Sequence, residues 1–325
     1  MAAVEVRRVQ RLGSSSLIVT LPHSWAKSVG LKAGDSVIIA SEGRTLRITP
    51  ITKSVGDDEE VSLDLRKYRE PRIMSLALPC LYILGYNSVE LKLPGELPKM
   101  AVKRLASKLI GVDVAEEGEG VVTAKILVDH GRVNVRFSIK ELTNLTLKQF
   151  RLLASTVREG YSSGLEVELR ELNDEIYRIR SLVDRYLHIY HRSPVTHQNL
   201  NIPLAISILV LLSLVNSIIQ DTIEVTSKLN AKPDHQLASH LDDLASVVPV
   251  IGSLAFSPSV KRALETLEKA EGVKKALETL IAGEALDKAG VVVASKTLDI
   301  IKIIQIIAYA VLCVGLLDGV KDVKA

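Results

Sequence analysis

The first fifty residues alternate apolar and polar positions with the two-residue period of β-strands. Residues 4–13 (VEVRRVQRLG) and 14–22 (SSSLIVTLP) each read as a strand, and 23–30 (HSWAKSVG) as a short helical run. Pro22 opens that run where its missing N–H costs nothing, and Gly30 stops it. Two more short strands, 34–41 and 44–50, turn around Glu42-Gly43. The result is ββαββ in some fifty residues, too small to bury a core by itself. A dimer would supply the missing core.

The pattern changes after an acidic polar linker at 52–62 (TKSVGDDEEVS). Residues 64–86 read as a helix interrupted at Pro79, 88–94 as a strand on Val89, Leu91 and Leu93, and 96–111 as an amphipathic helix ended by Gly111. Two further strands follow at 112–117 and 121–129. From Ser138 onward the spacing is helical. Ser138 with Glu141 three residues later forms a capping-box pattern, and Gly160 and Gly164 mark the end of that helix. A long amphipathic helix carries Leu169, Leu172, Ile176, Ile179, Leu182 and Tyr186 at three- and four-residue spacing, stopping at Pro194. Then come an apolar helix at 202–230, a helix from His235 to about Ser246, segments at 258–281 and 283–289, and a second apolar helix at 291–317. About six helices in which all-apolar members alternate with amphipathic ones describe a bundle with central helices.

Composition sharpens this picture. The chain has 325 residues, 47% hydrophobic but only 4% aromatic, so its apolar content is aliphatic. That excludes disorder and allows two or three domains. Two cysteines, Cys80 and Cys313, lie far apart in apolar surroundings; they exclude a disulfide scaffold and read as buried thiols in a reducing compartment. The net charge of +3 is unevenly spread. Residues 1–53 hold eight basic against three acidic residues (+5), leaving 33 basic against 35 acidic residues (−2) in the remainder. A basic N-terminal module of this kind points to a nucleic-acid contact at one end.

Two stretches raise the question of a membrane, 202–219 and 299–317. Both are interrupted by polar residues, neither carries the flanking Lys/Arg cluster that sets an orientation, and the only tryptophan is Trp25. We read them as bundle helices, not membrane spans. The N-terminus has no apolar signal segment, and the expected location is the cytoplasm.

Candidate chemistry is sparse. His188, His191 and His197 are split by Pro194, and no Cys or Asp accompanies them, so they read as a solvated helix end. Asp234 opens the cluster His235, His240, Asp242 and Asp243 and reads as an N-cap followed by an exposed acidic first turn. Neither a Walker-type loop, nor G-x-S-x-G, nor a Cys-His nucleophile pair is present. The sequence therefore reads as a protein that is not an enzyme, with no cofactor or metal.

The order of parts in the head is the most informative signal. Arg7-Arg8-Val9, Leu12-Gly13, the strand Leu17 to Leu21, Pro22, Gly30-Leu31, Gly34-Asp35 and the closing hairpin together resemble the SpoVT/AbrB swapped-hairpin DNA-binding family over about 45 residues. The resemblance implies an intertwined dimer that grips DNA. Its contact positions fall here on Arg7, Arg8, Arg11, Ser14, Ser15, Ser16 and Lys27. Arginines on a strand suit phosphate and base-edge contacts, and the Gly13–Ser16 loop offers hydroxyls and N–H groups. One departure weakens base-specific readout: many members carry an arginine in the loop after the glycine, where this chain has serines.

The C-terminal region resembles PhoU phosphate-signalling regulators, on Asn173 to Leu187 (NDEIYRIRSLVDRYL) and on the order of the modules. The metal motif of that family, two carboxylates one helical turn apart, would fall near Asn216, Gln220 and Asp221 and again near Gln305, Ala308 and Tyr309. Those carboxylate pairs are mostly replaced by neutral residues, which are weak ligands.

The expected fold class is α+β: a dimeric swapped-hairpin β-barrel at 1–51, a small α+β module at 63–137, and an all-α PhoU-like bundle at 138–325. The expected function is a DNA-binding transcriptional regulator linked to phosphate uptake or signalling. Its partners would be DNA and a second copy bound through the N-terminal domain. The alternative is an adaptor that docks on a transporter or sensor protein and uses its head only to dimerise.

Overall fold

The computed structural model describes residues 5–42, 45–50, 60–116, 120–129, 133–162, 164–192, 201–229 and 232–322. Gly43, most of the acidic linker, Pro194 and His197 lie outside the described residues, as does the His191 side chain.

The head consists of two separate antiparallel hairpins flanking a short helix. β1 (Gln10–Leu12) pairs with β2 (Ser16–Ile18), α1 spans His23–Ser28, and β3 (Val37–Glu42) pairs with β4 (Thr45–Pro50). The first hairpin is shorter than its alternating sequence predicts, three residues a strand, because no neighbouring element extends its ladder. Gly13, at φ +68°, makes the turn that reverses it.

β5 (Glu60–Asp64), α2 (Pro71–Ile83), β6 (Ser88–Lys92), α3 (Glu96–Ala106), β7 (Val112–Glu116) and β8 (Val121–Ile126) make a second unit. Its sheet runs β5-β6-β8-β7, with β5 and β6 parallel and the other pairs antiparallel. β5 corrects the sequence reading: only Val61 and Leu63 carry its alternation, and the acidic run before it disguises the strand as linker. α2 also differs. Glu70 caps its start at Pro71, and it continues through Pro79, which is buried within it. Leu78, Tyr82, Val89, Leu91, Val102 and Val122 form the centre of a core between the sheet and its helices.

Among the described residues seven helices follow: α4 (Val135–Glu159), α5 (Leu165–Arg192), α6 (Ile202–Ser227), α7 (His235–Ala245), α8 (Val248–Leu254), α9 (Val260–Ala282) and α10 (Lys288–Asp322). α4 begins one turn before the Ser138 capping box. Asn134 accepts the Phe137 N–H at 3.0 Å, so that Val135 and Ile139 enter the core, and Ser138 bonds back to the Asn134 carbonyl. Asp234 caps α7 as its sequence predicts, accepting the Leu237 N–H at 2.9 Å. α8, seven residues long, is too short to carry a periodic signal in the sequence. The segment read as 283–289 is instead the turn and cap of α10: Asp287 accepts the N–H groups of Gly290 at 2.7 Å and Lys232 at 3.0 Å.

α4, α6, α10, α9 and α7 contact one another in a closed ring, with α8 against α4 and α5 along its outside. Gly252 of α8 presses so closely on α4 that an added Cβ would overlap the Thr143 side chain. α6 and α10 are long and apolar enough to cross a membrane by length and composition, and 44% and 33% of their most apolar windows are buried inside the protein.

The α5 helix ties the bundle to the sheet unit. Arg185 is fully buried, and its guanidinium donates to the carbonyls of Tyr82 (2.6 Å) and Tyr86 (2.8 Å), to the Asn87 side chain, and stacks on the Tyr82 ring. The Tyr82 carbonyl lies in the last turn of α2, where the helix dipole is negative, and Tyr86 in the loop after it, so the cation is matched without a carboxylate among these partners. Burial pushes the Tyr82 hydroxyl up to about 12; it donates to the Ile110 carbonyl.

Candidate nucleic-acid interface

Arg11 lies in β1 opposite Leu17, and Ser16 begins β2 opposite Leu12. Ser14 and Ser15 form the turn between them, and Arg7 and Arg8 lie on the chain entering β1. Six of the seven predicted contact residues therefore follow one hairpin. Lys27 stands apart, on the last turn of α1. All seven are exposed. Arg7 is ion-paired with Glu5, two residues away. Both groups are exposed, so the pair opposes phosphate binding only weakly.

Because strand side chains alternate, Arg11 and Leu17 project from one face of the hairpin, and Gln10, Leu12, Ser16 and Ile18 from the other. Both faces thus carry apolar side chains, and Leu12 and Leu17 are 61% and 72% exposed. Ile39 and Leu46 of the second hairpin are 60% and 67% exposed. Of the described head residues only Thr49 is buried. The arginines are therefore presented by a hairpin whose own hydrophobic surface is open to solvent.

Other candidates resolve differently. Asn216 is buried and neither of its amide atoms has a hydrogen-bond partner among the described residues. Gln220 donates to Glu224 at 2.9 Å. Gln305 donates to Glu271 at 3.2 Å, Ala308 is buried and Tyr309 is exposed, so the second stretch forms no ligand set. Among the described residues no three His, Cys, Asp or Glu side chains cluster. The His188 ring shares a hydrogen bond with the Asp184 carbonyl at 2.8 Å, and Asp242 pairs with Arg158. Cys80 and Cys313 are both exposed, not buried as their apolar neighbours imply, because each lies on the outer side of its helix.

A cleft of about 440 Å³ that no sequence motif marks lies between α5 and α6. Tyr161, Arg170, Asn173 and Asp174 line one side, Gln220, Glu224 and Lys228 the other. Asp174 is paired with Lys108 of the sheet unit, and the Asn173 side chain accepts from the buried Gln149 at 2.6 Å. These contacts join residues far apart in the chain, so no local pattern announces them.

Compared with known proteins, residues 10–55 match the family described as MazE, antidote-toxin recognition, bacterial antitoxin. No curated protein and no solved structure matches the chain. The head, from β1 through β4, thus carries a domain of the MazE/AbrB type.

Proposed function

We propose that the protein is a dimeric DNA-binding regulator whose head reads DNA through Arg7, Arg8, Arg11 and Lys27. The observation that carries this reading is a hairpin that exposes cations and apolar residues together, inside a segment of the MazE/AbrB type. Domains of this type dimerise and bind DNA. Apolar side chains on both faces of β1–β2 favour interleaving with a second copy, since a hairpin covered on one side alone would leave Leu12 or Leu17 wet. Closure of two such heads into a swapped-hairpin barrel is part of the proposal. Ser14 to Ser16 offer hydroxyls to phosphate, which positions the head without specifying sequence.

The body relays a signal to the head in this reading, in the cytoplasm and without catalysis, its apolar helices serving the bundle. The link to phosphate uptake rests on the resemblance of Asn173 to Leu187 to PhoU proteins and on nothing else. A second reading is favoured by the description of the matching family: the head pairs with a toxin-like protein and dimerises, and any DNA contact serves that pair. A transporter or sensor would be the corresponding partner of the body.

The test is fluorescence anisotropy on a labelled duplex across a salt series. Arg7→Ala/Arg8→Ala/Arg11→Ala removes six arginines per dimer. The expected result is weaker binding and a log–log salt slope shallower by up to about 5, at about 0.9 per phosphate contact. Unchanged affinity at low salt would show that the head does not read DNA.

A further inference from the structure

The cleft between α5 and α6 has charged lips, half-buried amides inside them and buried amides behind. α6 follows α5 and runs antiparallel to it, so residues at four-residue spacing face one another turn by turn. Going outward, α5 presents Asp174, Arg170 and Glu166, and α6 presents Gln220, Glu224 and Lys228. Arg170 thus stands level with Glu224, and Glu166 with Lys228. Asp174 is paired with Lys108 outside the cleft. The other charges stay open: among the described residues Arg170 and Lys228 form no ion pair, and Glu166 and Glu224 meet no cation. Glu224 accepts instead from the Gln220 amide, and Glu166 from the Tyr161 hydroxyl.

The inner end of the cleft is made of amides. Asn173 accepts from Gln149, whose own amide oxygen has no partner among the described residues. Asn216 lies one turn before Gln220 and two turns before Ile223, which both line the cleft, so it is on the same side of α6. Leu209 packs in the cluster of Ile176 and Ile179, and Ile223 shares the cleft with Leu169. Asn216, midway between Leu209 and Ile223, is therefore level with Asn173. It is 7% exposed, and Gln149 is fully buried. An amide donor and two amide acceptors, Asn216 Nδ2, Asn216 Oδ1 and Gln149 Oε1, are left open where the cleft ends. Protein interiors rarely leave such groups unmet, because each forfeits its hydrogen bonds to water.

We propose that this cleft binds a free amino acid with an amide side chain. An anion alone would face Glu166 and Glu224, and a cation alone Arg170 and Lys228; a zwitterion is matched by both. Its carboxylate goes to Arg170 and Lys228, and its ammonium to Glu166 and Glu224. Its amide, donor and acceptor at once, goes inward to Asn173, Gln220 and the open groups behind them. Leu169 and Ile223 pack on the methylenes between. The volume of about 440 Å³ lies in the range of small-molecule sites. The inference goes beyond the DNA reading of the head and does not depend on it.

The experiment is isothermal titration calorimetry of the full chain with glutamine and asparagine. The comparison probes are N-acetylglutamine, which lacks the ammonium charge, glutaminamide, which lacks the carboxylate, leucine, which lacks the amide, and inorganic phosphate. The expected result is a Kd below about 1 mM for glutamine or asparagine, and binding weaker by about tenfold or more for every comparison probe. Arg170→Ala/Glu224→Ala, at the exposed lips, should weaken binding by about tenfold with the circular dichroism unchanged. Asn216→Leu, close in size, should do the same while the urea midpoint stays at or above that of the wild type, since a buried open amide is removed. If Asn216→Leu perturbs folding, Gln220→Leu replaces it. No heat from glutamine or asparagine up to about 10 mM would overturn the proposal. So would N-acetylglutamine or phosphate binding as tightly as glutamine, which makes the cleft an anion site. Leucine binding as tightly as glutamine would remove the amide from the ligand, and glutamine binding untouched by Arg170→Ala/Glu224→Ala would place it elsewhere; either outcome overturns the proposal as well.

Discussion

The head and the body solve the same problem in opposite ways. Each contains a high share of Leu, Ile and Val, yet among described head residues only Thr49 is buried, whereas α4 to α10 close a continuous core around residues such as Phe150, Leu212, Leu241 and Ile304. The difference is one of length and topology. Four short strands and a six-residue helix cannot surround anything, while four long helices and the eleven-residue α7 in a ring enclose an interior on their own. Hydrophobic residues are thus evidence of a core in the body and evidence of a partner in the head.

The strongest test of this contrast is on the link between the sheet unit and the bundle. Arg185→Ala leaves the Tyr82 and Tyr86 carbonyls, at and just after the end of α2, without this donor, and is expected to cost about 3–5 kcal/mol in urea unfolding, with no direct effect on the head. Gly252→Ala forces a methyl into Thr143 and should cost the body about 2 kcal/mol in the same measurement. For the head, tenfold dilution should lower stability by about 1.4 kcal/mol, one decade of mass action, while the intrinsic stability of the ring is unmoved. Calorimetry over a concentration series checks it: a head transition that does not move with dilution would remove the contrast.

The smallest effect concerns Asp287 at the start of α10. The N–H groups of Gly290 and Lys232 hold its carboxyl below its usual value of 3.8. A folded value below the unfolded one means that the contribution is complete above about pH 4 and is lost as pH falls through the folded value. Asp287→Asn is expected to cost at most about 1 kcal/mol at neutral pH and progressively less below pH 4, read by denaturant titration at both pH values.

Much of the local structure was legible because it is periodic. The stripe of α5, the cap at Asp234, the strands β6 to β8 and the hairpin arginines all follow from spacing and residue type. Misreadings occurred where a local rule met a tertiary one. Ser138 and Asn134 are both good caps, and burial of Val135 decided between them. Pro79 breaks a helix in isolation, yet α2 continues through it because its apolar neighbours pack on the sheet. Cys80 and Cys313 have apolar sequence neighbours, but a helix has an outer side, and only packing says which residues lie on it.

By itself, the sequence determined the basic charge of the head, its β-turn-β order and the helical character of the long C-terminal region, since these depend on composition and on periods of two and 3.6 residues. The tertiary structure alone decided that Arg185 locks α5 to the end of α2, that Gln149 reaches Asn173 beside an open cleft, and that α6 and α10 keep one apolar side uncovered. These are contacts, or missing contacts, between segments distant along the chain. Their energies depend on which faces meet, and a one-dimensional pattern does not carry that information.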